Sequence, residues 1–374
     1  MTDKTERQDK IALDLYNNKG GIIYGATGVG KSRIIIEALR RFDQASTVPL
    51  KFFWVVPEIN LRDVEVYNEL KEWEFESKHR KMIIIPVCYR SLADEYYKVD
   101  GVILDELQHI TEDNCAAILA NRPEVLIAAT ASKPNRQDKK DLIVQLGLKV
   151  IADIPLSEAR DKKYVNDFEL FVYRIEMDKS NRYLKPFKNQ KYPRTELEAY
   201  TDIQNLMNKI RHETGAMPPP WLLLKRKRFV QDLKSKEEFV IRLVKKLEKE
   251  KIRFIHFCAS QDQADRLNPN SYHSNNKSDA EADFNGGFID SFSCVRAIDE
   301  GHNIVNVQAI LIMNLDKEER TFIQRIGRGI RWREDGIPTK VYLIISKNTM
   351  EEKWLAGIIK KENLDEGKIY YYDF

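Results

Sequence analysis

The sequence predicts an α/β protein of two domains, each built on a parallel β-sheet, with a basic helical segment attached to the second. Three observations carry this reading. The chain is 374 residues long, two domains at roughly 100–200 residues each. Its 43% hydrophobic content suffices to bury two cores. Short apolar runs rich in β-branched and aromatic residues alternate with amphipathic stretches, and they come in two sets.

The first set is Gly21–Tyr24, Phe52–Val56, Met82–Val87, Val102–Leu104 and Val125–Ala128. Between these lie helical patterns such as Ser32–Phe42, where Ile35, Ile36, Leu39 and Phe42 fall on one face. Strands alternating with helices imply a parallel sheet covered on both sides. The second set is Phe254–Phe257, Ile289–Val295, Val307–Met313 and Val341–Ile345. The boundary is placed at 150, giving domains 1–150 and 151–374, with the crossover at roughly 150–180.

The stretch between the two sets has a different character. Tyr183–Pro193 is polar and punctuated by proline, Glu196–Ile210 reads as a helix, and Met217-Pro-Pro-Pro-Trp221 interrupts it. Leu222–Arg228 and an amphipathic helix to about Glu250 follow. The segment 181–235 is therefore expected as a helical insertion on the second domain.

Charge marks the same region. Residues 181–253 hold 19 Lys/Arg against 9 Asp/Glu, a local net of +10 within a chain whose overall net is +3. That concentration fits a polyanion-binding surface or a solvated helical face. The four cysteines, Cys88, Cys115, Cys258 and Cys294, are scattered without metal-ligand spacing. A disulfide framework is not expected. The polar start MTDKTERQDK and the lack of any long apolar run predict a soluble cytoplasmic protein with no membrane partner.

Three motifs carry chemistry. Gly25-Ala-Thr-Gly-Val-Gly-Lys31-Ser32 follows an apolar strand and opens a helix. Such a loop curls so that its N–H groups, including those of Thr27, Gly28, Val29 and Gly30, face one phosphate chain. Lys31 reaches the terminal phosphates and Ser32 ligates Mg²⁺. Next, Asp105 and Glu106 end the apolar run Val102–Leu104. In a parallel sheet, that strand end lies beside the phosphate loop. Asp105 is the expected Mg²⁺ partner, and Glu106 the base for an attacking water. Last, Arg325, Arg328 and Arg331 recur every third residue, on one helix face suited to an anion.

In combination and order, these motifs resemble superfamily 2 (DExH/DEAH-like) helicases and translocases, across both halves of the chain. Smaller elements extend the likeness. Gln8 resembles the adenine-reading glutamine. Val55-Val-Pro57 with Asn60-Leu-Arg62 looks like the motif that grips a strand backbone. The segment Cys88-Tyr89-Arg-Ser91-Leu92 is similar to the Tyr-x-Ser-Leu segment before the Asp-Glu strand, and Phe257-Cys-Ala-Ser260 looks like the motif opening the second domain. Ala129-Thr130-Ala131 is similar to the motif coupling ATP state to domain movement, and Tyr272-His273-Ser274 to the Tyr-His-Gly element. Asp299-Glu-Gly301 resembles the Glu-Gly-x-Asp-Ile motif. Gln324–Arg331 resembles the Gln-Arg-x-Gly-Arg-x-x-Arg motif. Three departures stand out. Gln108 takes the place of His or Asp in the Asp-Glu box, Asn303 that of an Asp, and Val305 that of a proline.

The resemblance implies two tandem RecA-like domains of the P-loop NTPase class, with ATP and Mg²⁺ in a cleft between them. It makes Arg328 and Arg331 fingers on the γ-phosphate beside Gln324, and Arg325 a brace. Gly301 and Asn303 fall at the nucleotide, while Gln108 and Thr130 couple the site to movement. Pro57, Arg62, Tyr89, Ser91, Ser260 and His273 fall on the strand path. The run Lys225, Arg226, Lys227 and Arg228 is open between a localisation signal, a solvated helix start and a backbone clamp; the clamp is adopted. The expected function is ATP-dependent unwinding or remodelling of single-stranded or branched DNA by a monomer. The compact build is more narrowly similar to phage-type helicases of branch migration and recombination-dependent replication. The alternatives are an RNA helicase, a duplex translocase or annealing motor, a restriction-system motor, and a nucleotide switch without nucleic acid. Tyr370–Phe374 looks like a docking tail.

Overall fold

The computed structural model describes residues 3–374 except 60, 76–80, 95–97, 132, 135, 188–189, 296–303, 318 and 331–335, and not the side chains of 277, 319 and 320. The chain forms two compact units, Met1–Val165 and Asn166–Phe374. The division follows Val165 rather than residue 150, because a strand at Val150–Ile154 pairs with the first sheet.

In the first unit α1 (Asp3–Asn17), β1 (Gly20–Gly25), α2 (Lys31–Ala45), β2 (Lys51–Val56), α3 (Val66–Glu72), β3 (Ile83–Cys88), β4 (Gly101–Leu104), α4 (Glu112–Asn121), β5 (Val125–Thr130), α5 (Gln137–Gln145), β6 (Val150–Ile154) and α6 (Leu156–Asp161) follow in order. The six strands run parallel in the order β3-β2-β4-β5-β1-β6. Every residue of β1 and β4 is buried, as is β2 from Phe52 onward. Strands covered on both faces need uninterrupted apolar sequence, which is why these runs were legible. One core face joins Ile22, Phe53, Val55, Leu104 and Ala128. α2 supplies Ile34, Ile35, Ile36, Ala38 and Leu39, and α1 packs against it.

The second unit contains β7 (Phe168–Ile175), α7 (Glu196–Thr214), α8 (Pro220–Gln231), α9 (Lys234–Lys249), β8 (Phe254–Phe257), α10 (Gln261–Leu267), β9 (Ser271–His273), β10 (Asn276–Lys277), α11 (Ala280–Asn285), β11 (Ser291–Cys294), β12 (Ala309–Ile312), α12 (Glu319–Gly329), β13 (Thr339–Ser346), α13 (Met350–Lys361) and β14 (Ile369–Asp373). The sheet order is β10-β9-β11-β8-β12-β13-β7-β14, parallel except for the short β10. β7 and β14 were not foreseen as strands. β7 alternates buried and half-buried residues, and β14 is an edge strand with four of five residues exposed. Neither needs a continuous apolar run. The tail thus docks as sheet: Tyr370 stacks on Phe171 with centroids 5.1 Å apart, and Phe374 meets Phe239 at 4.9 Å.

α7 and α8 lie between β7 and α9 in sequence. A capping box of Thr195 with Glu198 starts α7, and Gly215 in the left-handed region ends it. Pro220 stands in the first turn of α8, where a missing N–H costs nothing. Ile203, Met207 and Leu222 form one small core between these helices; Met177, Tyr200, Val230 and Met350 form another. Glu196, fully buried, ties the segment down by accepting hydrogen bonds from Asp178 N, Tyr183 Oη and Ser235 N at 2.9, 2.6 and 3.0 Å. Behind it, the buried Lys236 ammonium lies 3.0 Å from both Glu351 carboxylate oxygens, joining α9 to α13. Removing either partner would leave the other charge buried and uncompensated. Among the described residues, no helix is long and apolar enough to cross a membrane.

Candidate functional site

β1, β5 and β4 are neighbours running in one direction, so the segments that follow them emerge at one edge of the first sheet. After β1 comes the phosphate loop. Gly28 and Gly30 adopt φ of 90° and 85°, conformations that strain any L side chain. A Cβ at Gly30 would lie 2.3 Å from Gln8 Nε2. No side chain caps the start of α2, so its first amides remain available to an anion. Lys31 Nζ donates to Gly25 O at 3.0 Å and makes no ion pair among the described residues. The half-buried Ser32 follows it. A curled backbone, an open helix start and an uncommitted ammonium together fit a triphosphate.

After β4, Glu106 turns the chain at φ 50°, a strained left-handed position, and its N–H donates to Asp105 Oδ1 at 3.0 Å. Burial and the Glu106 charge push Asp105 up to about 7, while Lys31 pulls it down. The Asp105 carboxylate, at the end of a strand and within the field of Lys31, is an oxygen donor suited to Mg²⁺. Gln108 Nε2 donates to Glu106 Oε2 at 2.7 Å, and Thr130 Oγ1 donates to Gln108 Oε1 at 2.5 Å. A hydrogen-bonded path thus runs from the end of β5 to the acidic turn.

Gln8 is buried with both ends of its amide held. Its Nε2 donates to Val29 O at 2.7 Å, and Arg33 Nη1 donates to its Oε1 at 2.7 Å. Two participants were not foreseen. Arg33 is one. The other is Lys4, which donates to Gly28 O at 3.1 Å and Tyr164 O at 2.7 Å; burial and Arg33 lower it to about 8. Lys4 stands one helical turn before Gln8, so the i, i+4 spacing held the signal.

The strand-path candidates are dispersed. Pro57 is half-buried after β2, and the half-buried Arg62 pairs with Asp63 at 2.6 Å. Tyr89 is buried beneath the acidic turn, donating to Asp105 O at 2.9 Å, and Ser91 Oγ donates to Cys88 O at 3.2 Å. In the second unit Ser260 caps α10 by accepting from Gln263 N at 3.2 Å. His273 is buried, its Nε2 2.9 Å from Asp265. Tyr89 and His273 therefore point inward.

Lys225, Arg226, Lys227 and Arg228 occupy consecutive positions of α8, which places them about 100° apart around the helix. The Lys225 ammonium lies 4.8 Å from the Phe187 ring centroid, Arg226 reaches Gln204 at 3.4 Å, and Lys227 pairs with Asp316. Arg228 is exposed. The expected four-residue clamp is not one surface. On α12, Gln324, Arg325 and Arg328 are buried, and Arg325 donates to Asn314 O and Oδ1 at 3.0 and 2.7 Å over Phe257. Arg331, Gly301 and Asn303 lie outside the described residues.

Comparison with known proteins adds two family matches, in succession along the chain. Residues 3–145 match the res subunit of type III restriction enzymes, and residues 235–333 match the helicase conserved C-terminal domain. No curated protein matches the chain in sequence. Among solved structures, the ATP-dependent type ISP restriction-modification enzyme LlaBIII bound to DNA is 15% identical with a TM-score of 0.61. It matches 100% of this chain, which spans 31% of that enzyme. The Pyrococcus furiosus Hef helicase domain is 12% identical, covering 94% and 97% of the two chains, with a TM-score of 0.56. S. cerevisiae Dbp5 bound to RNA and ADP BeF3 is 13% identical, covering 95% and 85%, at 0.59. At these identities the structural likeness concerns the fold. Two successive family matches on tandem RecA-like folds place the chain in superfamily 2 of helicases and translocases.

Proposed function

We propose that this chain is an ATP-hydrolysing motor on DNA, one that unwinds or remodels single-stranded or branched substrates in replication, recombination or repair. The observation that carries the reading is the gathering of the phosphate loop, the acidic turn and Thr130 at one edge of the first sheet. The loop amides from Gly25 to Gly30 and Lys31 hold the triphosphate, and Gln8, already oriented by Arg33, meets the adenine. Ser32 and Asp105 would hold Mg²⁺, which would supply positive charge against the phosphate oxygens. Glu106 takes the proton of the attacking water, and its bond to Gln108 aims the carboxylate. Arg328 and Arg331, with Gln324, are the second unit's contribution against charge on the γ-phosphate. Gly301 and Asn303 are assigned to the ribose side.

DNA is favoured by the restriction-type match over the first unit, while the local net charge of +10 over 181–253 suits a nucleic acid of either kind. The likeness to Dbp5, whose structure contains RNA, supports an RNA-remodelling motor as the second reading. The deciding measurement is the ATPase rate with single-stranded DNA, duplex, forked DNA and RNA, followed by strand separation on the best activator. Stimulation by forked or single-stranded DNA above RNA is expected. A rate that no nucleic acid changes would leave a nucleotide switch in place of a motor.

A further inference from the structure

The helical segment of the second unit carries a groove that the nucleotide chemistry does not use. Along one face of α8, at spacings of three and four, stand Trp221, Leu224, Lys225 and Arg228. Tyr183 forms the other wall, Phe229 and Leu233 also line the groove, and its volume is about 490 Å³. Trp221 is 56% exposed and Tyr183 43%. The indole makes no ring contact among the described residues. Tyr183 is held from below, because its hydroxyl donates to the buried Glu196 carboxylate at 2.6 Å. An aromatic ring exposed to solvent yet anchored through its hydroxyl keeps one orientation, and ordering it on binding costs little.

Charges of both signs stand around these rings: the carboxylates of Glu196, Asp178 and Glu238 act on Tyr183, while Lys225 and Arg228 share the α8 face with Trp221. Arg228 is exposed and makes no ion pair among the described residues, and Lys225 lies against Phe187 with its ammonium 4.8 Å from the ring centroid. The Lys234 ammonium lies 5.7 Å from the Tyr183 centroid and 3.8 Å from the Glu238 carboxylate. Asp232, an acid lining the groove, sits 3.7 Å from Arg266, whose guanidinium is held more closely by Glu237 at 2.8 Å. Flat apolar rings flanked by cations suit unstacked bases joined by phosphates. A duplex keeps its base faces inside the stack and offers nothing to Trp221.

We propose that this groove binds a single-stranded segment of nucleic acid, with a base stacked on Trp221 and phosphates at Lys225 and Arg228. The inference rests on the nucleic-acid motor reading above and assigns it a base-contacting surface.

The test compares fluorescently labelled dT20 with an abasic strand of equal length, by anisotropy, on the full chain and its Trp221→Ala and Trp221→Phe variants. The wild-type protein should prefer dT20. Trp221→Ala should weaken dT20 binding by about 5- to 150-fold, the range for losing one base–aromatic stack. It should leave the abasic strand within about twofold, since phosphate contacts persist. Trp221→Phe should keep most of the affinity, and the melting temperature should hold because the ring is largely exposed. Unchanged dT20 binding by Trp221→Ala would overturn the groove alone, as would equal loss on both strands. A wild-type protein that binds neither strand would overturn the motor reading as well.

Discussion

The phosphate loop and the cationic run of α8 are both short stretches of consecutive residues that stand out in the sequence, and the fold treats them in opposite ways. At Gly25–Ser32 the backbone itself is the surface proposed to meet the phosphates. Left-handed φ at Gly28 and Gly30 bends consecutive residues around one point, so neighbours in sequence become neighbours in the site. At Lys225–Arg228 the functional atoms are side-chain ends on a regular helix, and consecutive residues diverge by about 100°. Arg226 and Lys227 turn to Gln204 and Asp316, while Lys225 and Arg228, three apart, share the groove. A consecutive run is therefore one site when its backbone is curled and two or three surfaces when it is helical.

The largest expected effect tests the loop. Lys31→Ala should take ATP hydrolysis below detection, a loss of about 10³-fold or more, on the scale of a charge withdrawn from phosphoryl transfer. The protein should stay folded, because the ammonium holds only a neutral carbonyl at 3.0 Å. Wild-type turnover by a folded variant would remove the loop from the active site.

Next comes a helical spacing that does converge. Arg325 and Arg328 are three apart on α12, and both are buried. Arg328→Ala should lower hydrolysis by roughly 10³-fold while nucleotide affinity stays within a few-fold, with Lys31 still on the phosphates. Lysine at 328 should rescue poorly, since a point charge lacks the guanidinium fork. Normal hydrolysis with lost nucleic-acid binding would assign α12 to the strand path.

A smaller effect probes the curl of the loop. Gly30→Ala should destabilise the first unit by about 1–2 kcal/mol in denaturant unfolding, the cost of a left-handed L residue. It should cost more where the Gln8 amide resists the new Cβ 2.3 Å away. Gly30→Ala should therefore cost less in a Gln8→Ala background than in the wild type. If it costs the same in both backgrounds, strain in φ accounts for the whole effect.

The smallest expected change separates the members of the α8 run. Neutralising Lys225 and Arg228 together should reduce the log–log salt slope of single-strand binding by about 1.4, two contacts at about 0.7 each. Neutralising Arg226 and Lys227 should leave the slope alone. Equal effects of the two pairs would mean that the run acts as an unstructured cationic patch.

The buried strands and the loops that follow them were legible because parallel sheets impose a local rule. A strand covered on both faces must be apolar throughout, and its functional residues come immediately after it. Hence Gly25–Ser32, Asp105–Glu106 and Thr130 could be read in line and then found at one sheet edge. The alternation of β7, the exposure of β14 and the inward turn of Tyr89 and His273 carried no such mark.

By itself, then, the sequence determined the two-sheet class, the phosphate loop, the acidic turn and the place where positive charge concentrates. Each depends on residue identity within a few positions. Only the tertiary structure decided that Lys4 and Arg33 brace the loop, that Gln108 joins Glu106 to Thr130, and that two members of the α8 run leave the groove. It also brought Tyr183 opposite Trp221, through a buried Glu196 that also accepts from residue 235. Those relations depend on which helix faces meet, and a helix face is shared by residues three and four apart and completed by residues far along the chain.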